Sequence, residues 1–450
     1  MQGPSHVIGN PGRSGSVPEA IRTAAGGDSA TILVQPAGLK HMALDDQASL
    51  LLVTHVSIRQ GPYGPEVDEQ TAAGIEQWCQ HFDRVTFYGV ESQANAISGG
   101  SASWVRTDEG LLGARARLVI LPHAYTPRKM IRHYGAVRNE LRQAVATHRH
   151  LCFTLGSIIG DWPTIAALEA IEQRRRYAAW IDRVEPFVIR NKLARAPLKR
   201  LLAEMVMPFT QAAIRYVLRK STVALLQGGD SFAYYARSAS DPHCTYDTHT
   251  RCTEQISASA LLRKQDRALA REPLKIVYVG RVAGMKGPFD WLACLARLHT
   301  QGIAFQACWI GDGPDLPALK AQVSRAGLNH VIDFPGFEGR RTHLLDRLQE
   351  SDLLLFCHKT PESARCLIEA LVSGCPIIGY DTAYPRGLTQ TYGGGLFAPG
   401  HSIEKLADHV ARLHHDRQAL CQLMEAAALS GTLYNEDAVY AHRAALMRRG

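Results

Sequence analysis

Two carboxylates and two cations stand out for the chemistry they can do together. Glu362 and Glu369 lie seven residues apart in SDLLLFCHKTPESARCLIEALVSGCPIIG, the second inside an apolar stretch where a solvated side chain is not expected. At that spacing both fall on one face of a helix, roughly 10 Å apart along its axis. A carboxylate there accepts hydrogen bonds from vicinal hydroxyls such as those of a ribose. Without a ligand, water or a cation such as Arg281 would pair it. Arg281 and Lys286 stand upstream in GRVAGMKG. An arginine grips a diphosphate with paired N–H groups, and a lysine adds a mobile point charge. The ordinary alternative is that Glu362 is a helix cap and Glu369 a structural ion pair.

The surrounding pattern supplies elements to hold these groups. Leu353 to Cys357 reads as a strand buried on both faces, and His358 to Pro361 as a polar turn. Leu367, Ile368, Ala370 and Leu371 follow at helical spacing until Gly374 and Pro376 stop the helix, and Ile377 to Tyr380 is the next strand. The helix N-terminus, at Ser363 to Arg365, presents free N–H groups and a positive dipole end suited to a phosphate. Upstream, Ile276 to Val279 is a buried strand, and Gly280 and Gly284 relax the loop before a helix at Phe289. ACWIGDGP is a strand and a turn; Gly311 and Asp312 shape a pocket wall there, with Asp312 also capping the next helix. A strand at Val331 to Phe334, a helix at His343 to Gln349, and helices over 402–415, 417–428 and 435–448 complete this half.

The first half has the same alternation. LLLVTHVS is a strand, IRQGPYGPEVD a loop carrying Gly61 and Gly64, and a helix runs from about Val67 to Phe82. The glycine spacing is not that of a dinucleotide fingerprint, so the loop is either a plain tight turn or an approach to a ligand. Val85 to Val90, Arg117 to Leu121 and Leu151 to Leu155 are further strands, with helices between the last two and after them; Val223 to Gln227 is the last strand. Such alternation predicts a parallel sheet with helices on both faces. His55 and His123 are candidate site histidines, with a hydrogen-bonded structural role as the alternative.

Composition narrows the partners. The 450 residues carry a net charge of +8 and are 46% hydrophobic and 20% charged, a globular profile that favours anionic partners. Nucleic acid is not expected, since no binding motif or long basic tract occurs. Ten cysteines without a Cys-x-x-Cys pair predict a reducing, cytoplasmic setting. Residues 1–49, rich in Gly, Ala and Ser without an apolar core, predict a disordered tail rather than a secretory signal. Asn191 to Lys220 is basic and partly amphipathic, with Leu198, Leu201, Leu202, Met205 and Val206 opposite Lys199 and Arg200. It is either an ordinary surface helix or a peripheral contact with an anionic membrane, at the inner face of the plasma membrane. His243, Cys244, His249 and Cys252 cluster between the halves but match no metal-ligand spacing, so no metal or cofactor is expected.

From about Leu274 to about Leu413 the chain resembles the family 4 (group 1) glycosyltransferases of GT-B architecture. The resemblance implies an α/β fold with two Rossmann-like domains facing across a cleft. Its segments would be the tail (1–49), an acceptor domain (50–236), a linker (237–272), a donor nucleotide-sugar domain (273–430), and a last helix (431–450) packing back on the first domain. It implies that Glu362 contacts the transferred sugar, Glu369 the donor ribose, and Gly280-Arg281 with Lys286-Gly287 the leaving nucleoside diphosphate. A histidine facing the sugar is a family feature, for which His123 and His55 are the candidates. The catalytic set is then Arg281, Lys286, Glu362 and His123. Donor binding falls to Gly280, Gly311, Asp312, Ser363, Arg365, Glu369, Gly61 and Gly64. The spacing between the glutamates is shorter than the family's by a single residue. The activity implied is retaining transfer of a sugar from a nucleotide-sugar donor to a hydroxyl of a glycan or lipid-linked acceptor, in surface or exopolysaccharide synthesis. The alternatives are another GT-B activity, such as an epimerase or phosphorylase, and a catalytically silent nucleotide-sugar-binding subunit.

Overall fold

The apolar runs become two parallel sheets. The computed structural model describes residues 48–92, 104–106, 113, 115–156, 160–192 and 197–449, with the side chains of 191, 192, 197–200 and 202 left aside. The expected tail, up to residue 47, lies outside the described residues. The first sheet runs in the order β5 (Ala116–Leu121), β3 (Arg84–Glu91), β1 (Ser49–Gly61), β6 (His150–Thr154), β7 (Ala178–Ile181), β8 (Val223–Gln227) and β9 (Pro242–Thr245), all parallel. The second runs β12 (Ile332–Gly336), β11 (Phe305–Ile310), β10 (Leu274–Val279), β13 (Leu353–Phe356), β14 (Ile377–Tyr380) and β15 (Gly395–Ala398), again parallel. Each sheet winds outward from its first strand, then returns to the other side. The crevices at the reversals, β1/β6 and β10/β13, are where such sheets take ligands.

Helices cover both faces. In the first half they are α1 (Glu69–His81), α2 (Pro127–Thr147), α3 (Trp162–Glu172), α4 (Glu185–Lys192), α5 (Pro197–Lys220) and α6 (Gly228–Tyr235). Then come α7 (Ala258–Leu269), α8 (Pro288–Thr300), α9 (Leu316–Arg325), α10 (Arg341–Glu350), α11 (Arg365–Val372), α12 (Ala383–Leu388), α13 (Ile403–His415), α14 (Arg417–Gly431) and α15 (Glu436–Arg449). Along β1, Leu51 and Val53 enter one core cluster while Leu50 and Leu52 enter another. That is why this strand is apolar throughout rather than alternating. The last helix belongs to the first domain's core: Tyr440, Ala444, Leu446 and Met447 pack with Leu50, Leu52, Trp78 and Phe82.

Two stretches differ from the sequence reading. The stretch read as a glycine loop is a β-hairpin: β1 continues to Gly61 and returns as β2 (Gly64–Asp68), which pairs in turn with β4 (Trp104–Arg106). The helix read from Val67 starts only at Glu69, where Asp68 caps it by accepting from Thr71 N–H at 3.0 Å. Long-range partners make the hairpin: Arg59 pairs with Glu66 at 2.6 Å and lies 4.7 Å over the Trp104 ring, while Val67 is fully buried. The second difference is β9, which continues the first sheet past residue 236 into the stretch read as linker. A short edge strand beginning on proline carries little sequence signal.

Candidate active site

The loop after β10 and the loop after β13 meet at the crevice of the second sheet. Gly287 adopts φ +65°, and a Cβ there would sit 2.1 Å from the Cys357 carbonyl oxygen, so only glycine lets the first loop press against the end of β13. Lys359 N–H donates to the Met285 carbonyl at 2.9 Å and fastens the two loops. Lys286 Nζ thereby reaches Glu362 Oε2 at 2.7 Å. Glu362 precedes α11, whose first residue is Arg365, so Glu362 and Glu369 do not share a helical face as the spacing implied. The helix begins only at Arg365, after an Ala364 that offers no side-chain cap.

Glu369, on α11, takes a partner other than the suggested Arg281. Arg341 Nη1 lies 3.0 Å from its Oε1, and the same guanidinium forks onto Glu254 at 2.7 and 2.8 Å. Nothing near Arg341 in the sequence marks it, because it reaches Glu369 from a different helix. Arg281 is exposed and forms no ion pair among the described residues. Gly280 and Gly311 stack the ends of β10 and β11, with Gly280 N–H donating to Ile310 at 2.9 Å. Asp312 Oδ1 accepts from Gly313 N–H at 2.6 Å; the residue before α9 is Asp315, so Asp312 is not that helix's cap. Behind Glu362 stand two residues the sequence reading passed over, His358 and Tyr278. Tyr278 OH lies 2.7 Å from His358 Nε2, and His358 Nδ1 lies 3.6 Å from Glu362 Oε1. Burial, then the charge of Lys286, pushes the His358 pKa well down, so its imidazole is neutral. Its place directly after a buried strand was the only available signal.

Glu362, Ser363 and Arg365 also line a cavity of about 600 Å³ whose other walls belong mainly to the first domain. They include His55 from the register shift within β1, Trp180 and Asp182 from the end of β7, Asp247 and His249 beyond β9, and Tyr440 from α15. Of the two candidate histidines, His55 lines this cavity; His123 does not, and its ring lies 4.8 Å from that of Tyr125. Gly61 and Gly64, in the hairpin, do not line it either. Ser363 turns its hydroxyl to the Gln227 carbonyl at 3.0 Å, so it ties the two domains rather than leaving its side chain free for a phosphate. Asp182 is exposed to the cavity, and desolvation by the surrounding protein, then the charge of Asp247, raises its pKa to about 6. Burial, then Arg365, lowers His249 to about 4, and its buried Nδ1 lacks a hydrogen-bond partner. The wall is braced by Arg443 of α15, fully buried, which donates to the Tyr246 carbonyl at 2.6 Å and lies 4.4 Å over the Trp180 ring. Among the described residues no group of His, Cys, Asp and Glu side chains is placed to hold a metal ion.

Residues 262–429 match the family model described as glycosyl transferases group 1. Over this stretch the chain is similar to that family. The match covers the loops after β10 and β13 and both glutamates. Among curated proteins the chain is similar to the alpha-D-kanosaminyltransferase of Streptomyces kanamyceticus, 25% identical over 190 residues, which are 42% of this chain and 47% of that protein. It thus spans about half the length of this relative. Among solved structures, HepE of Anabaena in complex with UDP superposes with a TM-score of 0.61 at 13% identity, over 89% of this chain and 100% of that one. WaaG, described as a glycosyltransferase involved in lipopolysaccharide biosynthesis, superposes with a TM-score of 0.57 at 13% identity, over 89% and 100%. The fold is GT-B.

Proposed function

We propose that the protein moves a sugar, with retention of configuration, from a nucleotide-sugar donor to a hydroxyl of a glycan or lipid-linked acceptor in surface or exopolysaccharide synthesis. The observation that carries this reading is the 2.7 Å pair of Lys286 and Glu362, held at the β10/β13 crevice and opening onto a cavity walled by the first domain. The reaction must stabilise a departing diphosphate and a cationic sugar centre. Lys286, the exposed Arg281 and the free N–H groups at the start of α11 meet the first need. Glu362 meets the second, and Glu369 holds the ribose once Arg341 gives way or shares it. The acceptor hydroxyl enters through the cavity beside His55 and Asp182.

The similarity to enzymes of glycan synthesis supports the acceptor class, and an exposed face of α5 supports its lipid-linked form. Leu201, Met205 and Phe209 recur every fourth residue there and are 59%, 65% and 74% exposed, with Arg215, Arg219 and Lys220 following. No helix among the described residues is long and apolar enough to cross a membrane, so this face would rest on an anionic surface. A thermal-shift panel of UDP-, GDP- and ADP-sugars followed by turnover of the stabilising one tests the function. Stabilisation by one donor with slow release of its sugar in water is expected. Binding without any release makes the chain a silent subunit, and no binding overturns the reading.

A further inference from the structure

The two carboxylate oxygens of Glu362 keep different company. Oε2 accepts from Lys286 Nζ at 2.7 Å. Oε1 is buried without a hydrogen-bond partner, and His358 Nδ1 faces it at 3.6 Å. His358 is 4% exposed and Tyr278, bonded to its other ring nitrogen at 2.7 Å, is fully buried. Among the described residues the Tyr278 hydroxyl has no other hydrogen-bond partner.

Which nitrogen of His358 carries the proton follows from counting buried groups. If Nε2 held it, the Tyr278 proton would lack an acceptor and the Nδ1 lone pair would face a carboxylate oxygen. If Tyr278 donates to Nε2, the proton sits on Nδ1 and points at Oε1. The second arrangement gives the Tyr278 proton an acceptor and aims the ring proton at a carboxylate oxygen that lacks a donor.

Lys286 cannot serve Glu362 and a donor diphosphate equally, and the diphosphate carries the greater charge. When Lys286 turns to it, Glu362 would lose its hydrogen bond while still largely buried, at high cost unless another donor takes over. We propose, resting on the transferase reading, that His358 is the positioning residue for Glu362. Held by Tyr278 in the Nδ1–H form, it donates to Oε1 and keeps the carboxylate aimed at the sugar after Lys286 leaves. The required approach is less than about 1 Å. A neutral donor suits the task, because it orients the carboxylate without cancelling the negative charge that faces the developing sugar cation.

Two measurements test this. In the ¹⁵N-histidine NMR spectrum, with His358 assigned through its loss in H358N, the wild type shows the Nδ1–H tautomer and Y278F loses that preference. An Nε2–H tautomer in the wild type overturns the proposal whatever the protein's function. The second measurement compares H358N, whose amide nitrogen replaces Nδ1, with H358Q, whose amide replaces Nε2. Hydrolysis of UDP-glucose and GDP-mannose is followed beside calorimetric binding of UDP and GDP and thermal melting. H358Q loses roughly tenfold in turnover and H358N recovers most of it, while nucleotide binding and melting match the wild type. An equal loss in both variants, or a parallel loss of nucleotide binding, reduces His358 to a structural residue. If the wild type turns over neither sugar nucleotide but has the Nδ1–H tautomer, the transferase reading fails with these donors. The positioning role then falls with that reading and not through the geometry.

Discussion

The two sides of the cleft solve different problems by different means. On the side of the second sheet most of the charges at the crevice are paired with one another before any ligand arrives, Lys286 with Glu362 and Arg341 with Glu369 and Glu254, while Arg281 stays exposed. On the other side Asp182 has no ion-pair partner among the described residues, and the His249 ring keeps a buried nitrogen unsatisfied. A pre-paired site lets a highly charged ligand exchange partners without exposing a naked buried charge. A less satisfied wall of carboxylate, imidazole and indole groups suits a neutral polyhydroxy ligand, whose hydrogen bonds complete it. The two sides are joined directly, since Asp230 of α6 accepts from the N–H groups of Ala383 and Tyr384 at 3.2 and 3.1 Å and so caps α12 of the other domain.

If that contrast holds, variants on the donor side act on turnover and nucleotide binding, and those on the far side act elsewhere. Lys286→Ala and Arg281→Ala should show the largest effect, about 2–4 kcal/mol or roughly 30- to 1000-fold in turnover, with folding little changed. Near wild-type turnover in both would remove the donor-site assignment. Next, Glu369→Gln should weaken nucleoside diphosphate binding by about 1.5–3 kcal/mol in calorimetry, whereas Glu362→Gln leaves it nearly intact and lowers turnover of the full donor. Equal losses would mean that the altered spacing has ended the division of labour between the glutamates.

Smaller effects are expected away from the donor. Leu201→Ser and Phe209→Ser should each lower sedimentation with anionic vesicles by roughly tenfold and leave donor hydrolysis unchanged. Negligible wild-type binding to anionic and neutral vesicles alike would remove membrane docking. The smallest effect belongs to Asp182→Asn. The wild-type carboxyl titrates at about 6 in the folded chain against an ordinary aspartate value of 3.8, so its contribution to stability, full below the lower value, is lost as pH rises through the upper one. The variant should therefore gain stability between about pH 4.5 and pH 8 relative to the wild type, by no more than about 1 kcal/mol because water in the cavity screens the charge. A constant difference across that range would show that Asp182 titrates normally.

The crevice loops of the second sheet were legible because their chemistry is local. Gly280-Arg281 and Lys286-Gly287 follow a strand that an apolar run announces, Glu369 interrupts the apolar face of the helix after another, and a loop after a buried parallel strand opens at the same edge of the sheet. The first domain was legible as alternating strands and helices but not as a site. His55 lies within β1 and Asp182 follows β7, His249 lies beyond a short edge strand, and Arg443 arrives from the far end of the chain. No spacing rule links them.

From the sequence alone came the two α/β halves, the family resemblance of the second, and the cations and carboxylates that face its crevice. Their common cause is periodicity and short-range order: a fully buried strand must be continuously apolar, and a helix or turn must start and stop on particular residues. Tertiary structure alone decided which charges pair. It seated Glu362 before α11 rather than on it, gave Glu369 to Arg341, placed His358 and Tyr278 behind Glu362, and brought His55 rather than His123 to the cavity. Pairing energies depend on distance and burial in three dimensions, and residues 28 to 80 positions apart, such as Arg341 with Glu369 or Tyr278 with His358, acquire both only when the sheet has closed around them.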